Sequence, residues 1–178
     1  MKIGFIGAGN VARTFGRHLI TAGHTIVVSN SRGPETLADF VADLGPNAIA
    51  GTKHQAAECE VVILATNWVK VPQALKGIDW RDRILIDATN AHIDPKPDTS
   101  LAGVTRRRAA LKGRTSSEIV AEKADGARLV KIDQYLNKRV PAVRQQGSAG
   151  FGEAVEQGLY WLIWAVVLVG LALGVFGF

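Results

Sequence analysis

Cysteine is nearly absent from this chain. The single thiol, Cys59, leaves no partner for a disulfide within its 178 residues, which suits a reducing cytoplasm and not a cross-linked secreted scaffold. Lying beside an apolar run, Cys59 reads as a buried structural thiol. His18, His24 and His54 show no ligand spacing, so no metal site is expected. No nucleophile–base arrangement is visible either. The N-terminus begins directly with strand-like sequence and shows no signal-peptide h-region. Charge is missing from the other end: every charged residue lies at or before Glu156, and the last 22 residues carry none.

The charge present is basic, with a formal net of +5. A basic balance suits nucleic acid, anionic membranes or phosphorylated ligands. The cations are scattered apart from Arg106-Arg107-Arg108, and no aromatic-basic interleaving accompanies them, so no nucleic-acid partner is expected. The arginine triplet reads as part of a solvated loop.

What the chain has in quantity is short, almost continuous apolar runs separated by helical patterns. Strands are expected at Lys2–Ile6, Thr25–Ser29, Ala48–Ala50, within Glu60–Thr66, within Arg83–Ala88 and at Ala127–Lys131. Helical spacing falls at Asn10–Ala22, from Pro34 to Gly45, at Lys53–Cys59 and at Val69–Leu75. A capping box at Thr115–Glu118 opens a helix from Ser116 to about Lys123. Apolar strands alternating with helices predict an α/β fold, a Rossmann-type doubly wound parallel sheet covered on both faces. This domain would span residues 1–131. Residues 91–114 read as a long loop, and 132–157, with no clear periodicity, as a linker.

The first strand runs into Gly7-Ala8-Gly9-Asn10-Val11-Ala12, the G-x-G-x-x-A form of the dinucleotide fingerprint. Gly7 permits the tight turn, Gly9 leaves room for a pyrophosphate, and Ala12 lets the helix pack close to the sheet. Asn10 and Val11 present backbone N–H groups at the positive end of the helix. The motif follows a strand and opens a helix, the context that gives it meaning.

A second absence chooses the cofactor. After the second strand stands Ser29-Asn30-Ser31-Arg32-Gly33, with no acid until Glu35. A carboxylate there would bind ribose hydroxyls and repel a 2′-phosphate. Ser31 and Arg32 can instead donate to one, which predicts NADP(H), with Asn30 beside them as a cofactor contact. Two later strand ends, Ala65-Thr66-Asn67-Trp68 and Thr89-Asn90-Ala91-His92, are placed to border the ribose and nicotinamide. Trp68 suits either shielding from water or packing on the sheet. His92 invites an acid–base role, but hydride transfer to a stabilised acceptor needs none, and no catalytic side chain is assigned.

Four motifs in order resemble the NADPH-dependent coenzyme F420 reductase family: Ile6 to Val11, Ser29 to Glu35, Asp87 to Asn90, and Gly113 to Glu118. The resemblance covers about residues 1–131. It implies NADP(H) bound through the first two motifs and direct hydride transfer to coenzyme F420 or a flavin as co-substrate, with positioning as the source of catalysis. It weakens near Ile132, where family members continue with a soluble segment that helps complete the acceptor site and the dimer. A non-catalytic, membrane-tethered NADP(H)-binding sensor or subunit is the alternative.

Residues 158–178 form an apolar run long enough to span a bilayer core. Tyr160, Trp161 and Trp164 cluster at one end, and Lys138, Arg139 and Arg144 lie upstream, which predicts a cytoplasmic domain anchored to the inner face of a membrane. Gly170 and Gly174 offer a G-x-x-x-G face for pairing two copies. The same run also suits a core helix, or a tail acquired by frameshift or fusion.

Overall fold

A computed structural model of the chain describes residues 1–91 and 100–132. One compact unit runs Met1–Ile132. Its strands are β1 (Lys2–Ile6), β2 (Thr25–Ser29), β3 (Ala48–Ala50), β4 (Val61–Leu64), β5 (Ile84–Asp87) and β6 (Arg128–Lys131). All pairings are parallel, in the order β3-β2-β1-β4-β5-β6. The order reverses between β1 and β4, which opens the crevice where α/β sheets hold ligands. The helices are α1 (Asn10–Thr21), α2 (Ala38–Leu44), α3 (Lys53–Ala57), α4 (Val71–Leu75), α5 (Leu101–Ala110) and α6 (Ser116–Lys123). Short 3-10 turns at Pro34–Leu37 and Trp68–Lys70 lead into α2 and α4.

The apolar strands are buried because both faces are covered. Every residue of β4 and β5 is buried. Side chains alternate across the sheet, and on one face Ile6, Val27, Val62, Leu64 and Leu85 pack with Ala56, Val71, Leu75 and Val120 from α3, α4 and α6. Cys59 lies in this cluster. Burial pushes its thiol above the ordinary range, so it stays protonated and inert at neutral pH. On the opposite face α1 approaches through Ala12 and Gly16; a Cβ on Gly16 would sit 2.9 Å from Ile26 Cδ1. The closest approach is at Gly4, where a Cβ would come 1.9 Å from the Ala56 carbonyl of α3.

α3 is only five residues long and depends on its cap. The Thr52 hydroxyl accepts the Gln55 N–H at 3.2 Å, and Gln55 Oε1 accepts the Thr52 N–H at 2.8 Å. Thr52→Ala should therefore lower unfolding free energy by about 1 kcal/mol, read from urea denaturation. The expected capping box of α6 is present in the same form between Thr115 and Glu118.

The reading of residues 91–114 as a loop is corrected by α5, which also takes in Arg106-Arg107-Arg108. Its sequence, LAGVTRRRAA, has no apolar stripe, but six of its ten residues are Ala or Arg, which favour helix. Ser100 starts it, its hydroxyl accepting the Gly103 N–H at 3.1 Å. The expected linker and apolar run at 133–178, and His92, lie outside the described residues. Among the described residues no helix is long and apolar enough to cross a membrane.

Candidate functional site

The last paired row of the sheet runs Ser29, Ile6, Leu64, Asp87, Lys131 across β2, β1, β4, β5 and β6. The chain leaves each strand just beyond this row, and backbone bonds hold the exits together. Gly7 N–H donates to Ser29 O (2.9 Å), Ala65 N–H to Ile6 O (2.9 Å), Ala88 N–H to Leu64 O (3.0 Å) and Ile132 N–H to Asp87 O (3.0 Å). The candidate residues thus gather at one edge by the register alone.

Gly7 has a φ of +115°, and a Cβ there would lie 2.2 Å from the Ala65 carbonyl oxygen and 3.0 Å from the Thr66 nitrogen. The first turn is therefore pressed against the exit of β4. Gly9 differs: its backbone is extended, and a Cβ would meet nothing within 4 Å. It is the N-cap of α1 and has no side-chain cap bond. The first intrahelical donor is Arg13 N–H, to Gly9 O, so the N–H groups of Asn10, Val11 and Ala12 precede the helical ladder. Asn10 and Val11 are exposed, Ala8 half-buried and Ala12 fully buried. Open space beside uncapped N–H groups fits a pyrophosphate.

The turn after β2 is built by Asn30. Its Oδ1 accepts the N–H groups of Arg32 (2.9 Å) and Gly33 (3.0 Å), and its Nδ2 donates to Thr36 Oγ1 (2.8 Å). Expected as a cofactor contact, Asn30 spends its amide on holding the loop. The Arg32 N–H is committed to it, which leaves the guanidinium as that residue's free donor. Ser31 and Arg32 are exposed, and among the described residues the Arg32 guanidinium has no hydrogen-bond or ion-pair partner. Arg13, nearby in sequence to the glycine turn, is already engaged: it pairs with Asp43 and lies 4.6 Å over the Phe40 ring. Arg17 joins it on Asp43 at 2.9 Å. The hydrogen bond from Arg17 and that from Arg13 hold the Asp43 carboxyl below its usual range.

At the exit of β4, Ala65 and Thr66 are half-buried and Asn67 is exposed. Trp68 is half-buried and packs against the hydrophobic cluster, one of its two expected roles. At the exit of β5, Asn90 is half-buried and Thr89 only 2% exposed. The Thr89 hydroxyl donates to Asp87 Oδ1 at 2.7 Å, and its N–H donates to the same oxygen at 2.8 Å. Asp87 is fully buried, and its Oδ2 accepts from Lys131 Nζ at 2.9 Å. Lys131 also donates to the Thr89 carbonyl. Sequence reasoning assigned no role to Asp87 or Lys131. The available signal was a carboxylate ending an otherwise apolar buried strand, which demands a partner.

A parallel sheet in this order, with a glycine turn and an open helix N-terminus at its reversal point, defines a dinucleotide-binding domain of the Rossmann class. The chain belongs to the family described as NADP oxidoreductase, coenzyme F420-dependent, which residues 2–91 match. Among solved structures, a hypothetical protein from Sinorhizobium meliloti is 31% identical, with a TM-score of 0.62, over 74% of this chain and 60% of that one. An imine reductase from Streptomyces aurantiacus shares the fold at 20% identity and a TM-score of 0.50, over 74% of this chain and 40% of that one. The chain thus spans less than two thirds of the length of either.

Proposed function

We propose that this chain binds NADP(H) along the carboxyl edge of its sheet and serves hydride transfer to a deazaflavin or flavin-like acceptor. The observation that carries the cofactor reading is the uncommitted Arg32 guanidinium on a loop fixed by Asn30; Ser29–Gly33 contains no acid, and the Glu35 carboxylate lies on the far side of Arg32 in sequence, against Gly33. Gly7 sets the turn, Gly9 leaves the pyrophosphate its space, and the N–H groups of Asn10 and Val11 face it. Ser31 and Arg32 hold the 2′-phosphate. Ala65, Thr66, Asn67, Thr89 and Asn90 border the nicotinamide, which supplies the hydride when bound. The chain's own task is to orient the ring and keep water from it, which requires no proton-transferring side chain.

Arg32→Ala should weaken NADPH binding by about 10- to 100-fold, the worth of one charge-assisted phosphate contact, and leave NADH within about 2-fold. Parallel titrations with both cofactors read this; equal losses for the two would remove Arg32 from the phosphate site. Transfer itself is tested by stopped-flow oxidation of NADPH with deazaflavin, flavin and ferric acceptors.

The second reading, a tethered cofactor-binding module without activity, draws on the uncharged run at 158–178. Tight NADPH binding with no acceptor reduced, and partition of the full chain with membranes, would favour it over the enzyme.

A further inference from the structure

We propose that Lys131 is a positioning residue for the nicotinamide half of the cofactor, acting through its pair with Asp87 on the turn Ala88-Thr89-Asn90. The inference rests on the NADP(H) reading above and adds the device that fixes where the ring lies.

Register creates the pair. Asp87 and Lys131 face each other as the last partners of β5 and β6, and residues paired in this way point to the same side of the sheet. The backbone ladder ends at this row, with the bonds of Ala88 N–H to Leu64 and Ile132 N–H to Asp87. Beyond it, side chains take over. Asp87 grips Thr89 at its N–H and its hydroxyl, while Lys131 grips both the other carboxylate oxygen and the Thr89 carbonyl. Thr89 is thus held at three of its polar groups by one ion pair, and Asn90 follows directly.

Stability alone does not call for charge here. An apolar pair of similar volume is commonly as stabilising as a buried ion pair, and the adjacent partners in the same row, Ile6 and Leu64, are apolar. What an apolar pair lacks is directional bonds to the Thr89 backbone. The pair also lies on β5 and β6, whereas the pyrophosphate turn and the Arg32 loop leave β1 and β2. The two halves of the cofactor therefore report on different ends of the sheet, and each can be tested without the other.

The test compares the full chain with Lys131→Met and with the paired variant Asp87→Leu/Lys131→Met. Calorimetry gives the affinity of each for NADPH and for 2′,5′-ADP, which lacks the nicotinamide half, and thermal unfolding is followed in parallel. The paired variant is expected to unfold near the wild-type temperature, with 2′,5′-ADP affinity within about 2-fold of wild type. The advantage of NADPH over 2′,5′-ADP should fall about tenfold or more in both variants. A paired variant that folds normally and keeps the full NADPH advantage overturns the inference. Should that variant not fold, Asp87→Asn/Lys131→Met removes the charge pair and the Lys131 bond to the Thr89 carbonyl while leaving Thr89 in place, and it carries the same comparison: a retained NADPH advantage overturns the inference, and a selective loss supports it. A wild-type chain that binds NADPH no better than 2′,5′-ADP overturns the inference alone. One that binds neither overturns the cofactor reading and the inference with it.

Discussion

Gly7→Ala and Gly9→Ala, two substitutions of the same size two residues apart, are expected to fail in opposite ways. At Gly7 the φ of +115° already strains any L side chain, and a Cβ would press to 2.2 Å from a backbone oxygen of Ala65. Backbone cannot rotate aside as a side chain can, so the exits of β1 and β4 must separate. A loss of about 3 kcal/mol or more of unfolding free energy is expected, together with loss of cofactor binding. At Gly9 the φ of −99° and ψ of −168° are ordinary for alanine, and its Cβ would enter open space. Unfolding should shift by no more than about 1 kcal/mol, the preference for glycine over alanine at an N-cap. That space is the one assigned to the pyrophosphate, so NADPH affinity should fall about tenfold or more in the folded protein. Urea denaturation and NADPH titration of both variants separate the two effects. Unchanged NADPH affinity in Gly9→Ala would place the phosphates elsewhere.

The strands were legible because parallel strands buried on both faces call for three or four consecutive apolar residues. Val61–Leu64 and Ile84–Asp87 fall inside the expected spans. The glycine turn was legible because its residue types are dictated by backbone geometry and local contact. α5 was not, since LAGVTRRRAA places no apolar stripe on one face, and Gly103 with Pro95 and Pro97 upstream reads as loop. Ser100 carried the missing signal as a cap. In the site, the residue types of the β2 exit predicted phosphate binding. The division of labour within it did not follow from type: Asn30 turns inward onto Arg32 and Gly33 only in the folded loop. Asp87 and Lys131 lie 44 residues apart, and their meeting depends on the register of β5 with β6. A sequence can say that a buried carboxylate needs a partner, but the sheet order selects which cation arrives.

Asp87→Ala is expected to cost about 2–3 kcal/mol: it leaves the Thr89 N–H and hydroxyl without their acceptor, while the Lys131 side chain, 25% exposed, can turn its ammonium toward water. Removing one member of a buried pair is worse than never having the pair, since the survivor keeps its desolvation cost and loses its compensation. Lys131→Met should cost more, about 3–5 kcal/mol, as it strands the fully buried Asp87 carboxylate. The paired variant Asp87→Leu/Lys131→Met removes both charges and should recover most of the loss, so the two single effects must not add. A double-mutant cycle by urea denaturation checks this. Additive losses would mean that the two side chains act independently of their contact, and the 2.9 Å pair would then be no more than a crossing of neighbours. Strong coupling together with recovered stability assigns the pair its energetic character: costly to break, replaceable for folding, and distinguished from an apolar pair by the bonds it makes to Thr89.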